Sequence, residues 1–236
     1  MGEKARRIDQ ILSSCGYCSR SDARAWVRQG RVTIDGLPAR TAEEKYPVSR
    51  VQIDGQAVDF PDGLLVLLHK PPGYVCSHDA NEGPAVYEFL PPRWSRRNPP
   101  LTTIGRLDRD TTGVLLLTDL GGLVQRWTSP RNKVPKVYHV TVDAPLKTEL
   151  VSIFGSGQLH LPGEDKPCLP AALEILDSHQ ATLQLTEGRY HQVKRMFAHH
   201  GYQVRQLHRA RFGAFELAGL NPGEWRVLPL PAEFIQ

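Results

Sequence analysis

Two hexapeptides, RVTIDG (Arg31–Gly36) and RVQIDG (Arg50–Gly55), constrain the front of this chain more than any other feature. Each alternates branched apolar residues with polar ones and then stops at Asp-Gly, a strong short-range turn signal. The segment ahead of them has the other periodicity. RRIDQILSSCG places Ile8, Ile11 and Leu12 on one helical face and ends at Gly16. SRSDARAWVRQG opens with Ser/Asp capping chemistry, carries Ala23, Trp26 and Val27 at helical spacing, and stops at Gly30. A compact unit of two helices followed by short strands is expected. On its second helix Arg20, Arg24 and Arg28 recur every four residues and line one side, and Arg31 extends the row.

DFPDG (Asp59–Gly63) reads as a linker and divides the chain into residues 1–61 and 62–236. Beyond it the pattern is α+β. Strands are expected near Leu64–His69, Val114–Thr118, Val137–Val142, Leu173–Leu176, Ala181–Thr186 and Gln203–His208. Helices are expected near Gly122–Thr128, Leu146–Phe154 and Tyr190–His200. PPRWSRRNPP (Pro91–Pro100) reads as a basic loop too irregular to hold a core.

Composition removes several classes of function. With 40% hydrophobic and 23% charged residues in 236, wholesale disorder is excluded. Apolar runs such as LLVLL (Leu64–Leu68) are too short to cross a bilayer. The start, MGEKARRIDQ, lacks the apolar stretch of a signal peptide, and Arg6 stands where a myristoylation signal needs Ser or Thr. A soluble cytoplasmic protein is expected, with no membrane partner, and as a monomer because no long apolar seam is apparent. CGYC (Cys15–Cys18) raises a redox pair or half a zinc site, but Cys76 and Cys168 are isolated and the pair follows a helical pattern. Cys15 and Cys18 are expected to be small packing residues, and no metal site is assigned.

The net charge of +4 is modest, but its distribution is not even. Seven basic residues lie between Lys4 and Arg31 against Asp9 and Asp22, and four between Arg126 and Lys136 with no acid. Six more lie between Thr186 and Arg211, opposed only by Glu187. Three separate basic clusters suit a long polyanion better than a small anionic metabolite.

The chemistry centres on GRLDRDTTGVLLLT (Gly105–Thr118), where Asp108 sits between two arginines at the mouth of an apolar strand. DRDTT fits the Asp-x-Asp-x-Thr of haloacid-dehalogenase-type phosphotransferases. There, however, the aspartate ends a hydrophobic strand, whereas here the apolar run follows it and no second acidic motif appears to complete a magnesium site. An isolated aspartate in a turn is ordinarily a turn former, and Asp110 and Asp119 are read that way. By default His191 and His208 are read as structural or RNA-facing.

The whole phrase closely resembles the G-R-L-D-x-x-T-x-G motif of pseudouridine synthases. HKPPGYVCS (His69–Ser77), SPRNKVPKVYHVTV (Ser129–Val142), EGRYHQVKRMF (Glu187–Phe197) and QLHRARFG (Gln206–Gly213) follow in the order found in the branch that modifies ribosomal RNA. The front unit, about Arg6–Asp59, resembles the S4 RNA-binding domain. KPPGYVCS and the KVYHVTV context look most like enzymes acting on small-subunit (16S) RNA, the large-subunit enzymes and a non-catalytic ribosome-assembly factor being the alternatives. The resemblance implies a catalytic domain with a mixed, mainly antiparallel sheet, ribosomal RNA or an assembling small subunit as partner, and no cofactor.

It also implies roles. Asp108 matches the catalytic aspartate and Lys194 the basic residue that pairs with it, an opposite charge that keeps a carboxylate ionised. Tyr138 matches the aromatic residue that stacks on the target base, and Leu207 an apolar residue packing around it. Arg106 would contact RNA where the uridine flips out, since the glycosidic carbon of a stacked nucleotide is inaccessible. Arg6, Arg7, Arg20, Arg24, Arg28 and Arg31 would hold RNA phosphates, giving affinity rather than sequence reading. Gly105 and Gly113 would let the backbone turn tightly around Asp108.

Overall fold

The computed structural model describes residues 3–234, so the Met-Gly start weighed above lies outside the described residues. The front unit runs β1 (Arg6–Arg7), α1 (Ile8–Ser14), α2 (Ala23–Arg28), β2 (Val32–Ile34), β3 (Leu37–Pro38), β4 (Lys45–Tyr46), β5 (Val51–Ile53) and β6 (Gln56–Ala57). The hexapeptide strands β2 and β5 pair antiparallel at the centre of a sheet ordered β3-β2-β5-β6, with Val32 opposite Ile53. Each Asp-Gly closes a two-residue hairpin with both residues at positive φ (Asp35 52°, Gly36 83°; Asp54 50°, Gly55 78°). That handedness matches the twist of the flanking strands. The repeat is also self-complementary. Arg31 pairs with Asp54 at 2.6 Å and Arg50 with Asp35 at 2.5 Å, so the arginine opening each hexapeptide holds the aspartate closing the other. Ile8, Ile11, Leu12, Ala23 and Val27 pack on Val32, Ile34, Val51 and Ile53 as a core of their own.

The rest of the chain continues as β7 (Leu65–Lys70), β8 (Thr102–Thr103), β9 (Thr112–Thr118), α3 (Gly121–Thr128), β10 (Lys136–Val142), α4 (Glu149–Gly155), β11 (Ala172–Ile175), β12 (Gln180–Leu185), α5 (Gln192–His199), β13 (Val204–Phe212), β14 (Phe215–Glu216) and β15 (Trp225–Val227). These strands form one mixed sheet, β11-β12-β10-β13-β9-β7-β15, with β14 on β13 and β8 on β9. Every ladder is antiparallel except β13 with β9. The continuous apolar runs of β7 and β9 are explained by burial on both faces. Leu65, Leu67, Val114 and Leu116 meet Leu123 of α3 on one side, while Val66, Leu68, Leu115 and Leu117 join the main core on the other. β10 instead alternates, with Tyr138, Val140 and Val142 inward and His139 exposed.

Several expectations are corrected. Pro91–Pro100 does hold core: Trp94 is 4% exposed and meets the rings of Phe60 and Trp225 at 5.6 and 4.9 Å. Asp119 is no turn former but a buried partner, accepting from Arg97 Nε at 2.6 Å and from the Leu64 amide at 2.7 Å. The same loop grips the front unit. Arg93 donates to the Cys15 carbonyl at 2.8 Å, pairs with Asp59 and lies 4.4 Å over the Tyr17 ring. Gly16, at φ 77°, is required there, because a Cβ would fall 2.3 Å from the Arg93 carbonyl oxygen. α4 starts at Glu149, later than expected; ahead of it the Leu146 amide donates to the Ser178 carbonyl and the Lys147 amide to the Tyr202 hydroxyl. β13 runs on to Phe212 because its ladder with β10 continues to Lys136. Cys15 is buried and Cys18 half-buried, both as free thiols, and burial pushes the Cys18 thiol up to about 11.

Candidate active site

Asp108 lies on the loop between β8 and β9, turned by Gly105 at φ 71°. The loop is held from beneath by the HKPPG segment. Lys70, fully buried at the end of β7, donates to the carbonyls of Pro71 (3.1 Å), Arg109 (3.1 Å) and Thr111 (2.8 Å). Burial lowers its pKa to about 8, against the pull of the Asp110 and Asp108 carboxylates. Gly73 donates its amide to the Arg109 carbonyl at 2.7 Å, and the Leu107 amide reaches Cys76 Sγ at 3.5 Å. On the far side Gly113 lies against β13 so closely that a Cβ would meet the Arg209 carbonyl oxygen at 2.2 Å. That contact, together with φ 113°, is why glycine stands there.

The Asp108 carboxylate, 24% exposed, faces a cavity of about 570 Å³. Lys194 on α5 places Nζ 3.3 Å from Asp108 Oδ2 and 2.5 Å from Asp110 Oδ1. Burial works against the Lys194 ammonium, but the hydrogen bond to Asp110 and the charges of both carboxylates outweigh it and hold its pKa above the ordinary value. For Asp110, burial raises the pKa, yet the same lysine bond and charge bring it below the ordinary value. Asp110 is therefore a lysine partner, which its reading as a turn former missed.

Tyr138 from β10 and Leu207 from β13 line the same cavity, each 8% exposed, and Arg106 stands exposed at its wall. All five residues singled out for this site are thus brought together. The structure adds three more. His191 places Nε2 3.3 Å from Asp108 Oδ1, nearer the chemistry than a structural or RNA-facing role implies. Arg209, 2% exposed, donates Nε to the Val114 carbonyl at 2.8 Å, and with buried Lys136 it makes the cavity wall cationic. His191 stands three residues before Lys194, at the N-cap of α5. His208, by contrast, turns to the other sheet face, where Thr112 Oγ1 lies 2.8 Å from its Nδ1.

The front unit's arginines do not form one free row. Arg6 is turned inward to the Pro61 carbonyl and Ser14 Oγ, both at 2.7 Å. Arg7 and Arg20 share Asp9, at 2.8 and 3.3 Å, and Arg24 pairs with Glu43 at 2.8 Å. Arg31 pairs with Asp54 and stacks 3.5 Å over Trp26, while Arg28 is exposed without an ion partner among the described residues. An exposed pair such as Arg24–Glu43 is worth little, so Arg24 is only weakly held. Arg6 is committed to the junction.

A small helix-and-hairpin unit with outward arginines, set before a mixed-sheet domain whose cleft holds an aspartate–lysine pair, is the architecture of an RNA-modifying enzyme. The family model of RNA pseudouridylate synthase matches residues 64–199 and that of the S4 domain residues 6–49. The chain belongs to the RNA pseudouridylate synthase family. It is 42% identical over 228 residues to ribosomal small subunit pseudouridine synthase A of Escherichia coli strain K12, covering 94% of this chain and 96% of that protein. Over 232 residues it is 39% identical to the protein of the same name from Pseudomonas aeruginosa, covering 97% and 98%. A crystal structure of a pseudouridylate synthase matches with a TM-score of 0.66 at 36% identity, covering 94% of this chain and 96% of that one.

Proposed function

We propose that this enzyme converts one uridine of small-subunit (16S) ribosomal RNA, free or in an assembling particle, to pseudouridine, with Asp108 as nucleophile. The observation that carries the reading is the convergence of four separate segments: Asp108, Tyr138 and Leu207 line one cavity, and Lys194 reaches the Asp108 carboxylate at 3.3 Å. End-to-end similarity to small-subunit enzymes supports the substrate.

The isomerisation breaks the N1–C1′ bond of uridine and joins C5 to C1′, so C5 loses a proton and N1 gains one. A carboxylate supplies the covalent partner that divides this exchange into easier steps. Lys194 sets a positive charge 3.3 Å from the Asp108 carboxylate. Tyr138 stacks on the flipped uracil and excludes water, Leu207 packs against it, and Arg106 holds the RNA where the base has left the stack. No electrons change hands, and the reading calls for no metal or organic cofactor. Residues 1–61 serve as the RNA-holding unit through Arg20, Arg24, Arg28 and Arg31, with Arg7 in support, and residues 62–236 as the catalytic unit. The enzyme works as a cytoplasmic monomer.

The test is to incubate it separately with small-subunit RNA, large-subunit RNA and small-subunit assembly intermediates, with EDTA present, and map pseudouridine by reverse-transcription stops after carbodiimide treatment. One new stop on small-subunit RNA or particles is expected. A stop on large-subunit RNA overturns the substrate, and no stop on any RNA favours a non-catalytic assembly factor.

A further inference from the structure

We infer that His191 is a positioning residue for Asp108, fixing the plane of the carboxylate that Lys194 alone leaves loose; this rests on the reading of Asp108 as nucleophile. Lys194 Nζ makes its shorter contact, 2.5 Å, with Asp110 and comes nearest to Asp108 at Oδ2, 3.3 Å away. A carboxylate held mainly at one oxygen still turns about its Cβ–Cγ bond, where the torsional wells are broad. The imidazole takes the other oxygen, with Nε2 3.3 Å from Oδ1. The two groups come from one piece of structure, the start of α5, where His191 is the N-cap and Lys194 the third helical residue.

The backbone at His191 is otherwise unexplained. The residue is the N-cap of α5 in the left-handed region (φ 47°, ψ 34°), and its side chain makes no capping hydrogen bond. Glycine takes that conformation without strain, and a capping serine or aspartate would satisfy a helix amide. The structure holds a histidine there instead. Its ring is stacked on that of Tyr190 at 3.9 Å and 17°, which fixes the imidazole plane. A strained non-glycine residue in an active-site wall, with its ring clamped and its free nitrogen aimed at a carboxylate, is what pre-organisation of a nucleophile requires.

Three variants separate positioning from folding. His191→Gly relieves the backbone, and His191→Phe keeps the ring stack without a donor. His191→Gln restores an N–H near the Nε2 position. Single-turnover rates are measured at saturating small-subunit RNA, with thermal midpoints alongside. Because a polar contact that orients the carboxylate is being removed, Gly and Phe are expected to slow the step by about ten- to a hundredfold. The half-saturating RNA concentration should be little changed, the Gly variant should keep the wild-type midpoint, and Gln should recover most of the rate. A wild-type rate in His191→Phe, equal slowing in Phe and Gln, or recovery of rate at higher RNA concentration overturns the inference. If the wild-type enzyme modifies no RNA, it is the functional reading that fails. The contact is then judged by NMR: Asp108→Asn should move the His191 ring-nitrogen resonances and leave those of His208 in place, and unmoved His191 resonances reject it.

Discussion

Lys70→Met would show how the nucleophile loop is held. Two opposing effects meet at this side chain. Burial lowers the pKa of the Lys70 ammonium from 10.5 to about 8, and at ~1.4 kcal/mol per unit keeping it charged costs the fold roughly 3 kcal/mol at pH 7. Methionine removes that cost but leaves the Pro71 and Thr111 carbonyls without this donor, while the Arg109 carbonyl keeps the Gly73 amide. Each acceptor stranded in this way costs ~1–3 kcal/mol, and the two together slightly outweigh the gain. A net loss of about 1 kcal/mol is expected in urea unfolding at pH 7. Turnover should fall by on the order of 10²-fold if the loop shifts by an ångström. The pH dependence is a second check. Below pH 8 the ammonium is charged in both states and its cost is fully present. Between about 8 and 10.5 the folded protein sheds this proton before the unfolded chain does, so wild-type stability rises relative to the variant, and above that window the cost is gone. A Lys70→Met protein more stable than wild type at pH 7 with full turnover would refute the reasoning.

Five further substitutions probe other parts of the account. Asp119→Ala strands the buried Arg97 cation and the Leu64 amide, and a loss of 3–5 kcal/mol, roughly that of breaking a buried pair, is expected by denaturant titration. Gly113→Ala forces a Cβ into the Arg209 carbonyl at φ 113°; a loss of at least ~2 kcal/mol is expected, with turnover following. Arg24→Ala and Arg28→Ala should weaken RNA binding and each reduce the slope of log affinity against log salt by about one, leaving the rate at saturating RNA unchanged. Arg6→Ala should instead lower stability, since its guanidinium holds Pro61 and Ser14; an unchanged melting midpoint would count against that placement.

What could be read from the residues alone followed how local the cause was. The Asp-Gly turns and the glycines ending α1 and α2 are decided within a few residues, and they stand where expected. Asp108, Tyr138, Lys194 and Leu207 were legible because each sits in a phrase with its own resemblance. The cavity that Asp108, Tyr138 and Leu207 share needed the sheet order β10-β13-β9 to bring them together. The Pro91–Pro100 loop was misread because its pattern has no period. Its burial comes from partners far away in the chain, Trp225 against Trp94 and Asp119 against Arg97. His191 was passed over for the opposite reason: nothing local marks a left-handed histidine, and its target lies 83 positions upstream in sequence. The arginine row was legible as spacing, while Asp9, Glu43 and Asp54 decide which of its members are already paired.

The central claim is that Asp108 is the nucleophile, and one measurement reaches it most directly. RNA labelled with tritium at C5 of uridine is mixed with excess wild-type or Asp108→Asn enzyme, and label released to solvent is followed through one turnover. Asparagine preserves the shape of the side chain and removes its charge, so folding and RNA binding should persist, each checked on the same preparation. Release by the wild type and none above background by Asp108→Asn is the expected result. Release at a comparable rate from the asparagine variant would contradict the account, because the cavity would then be performing the exchange without its carboxylate.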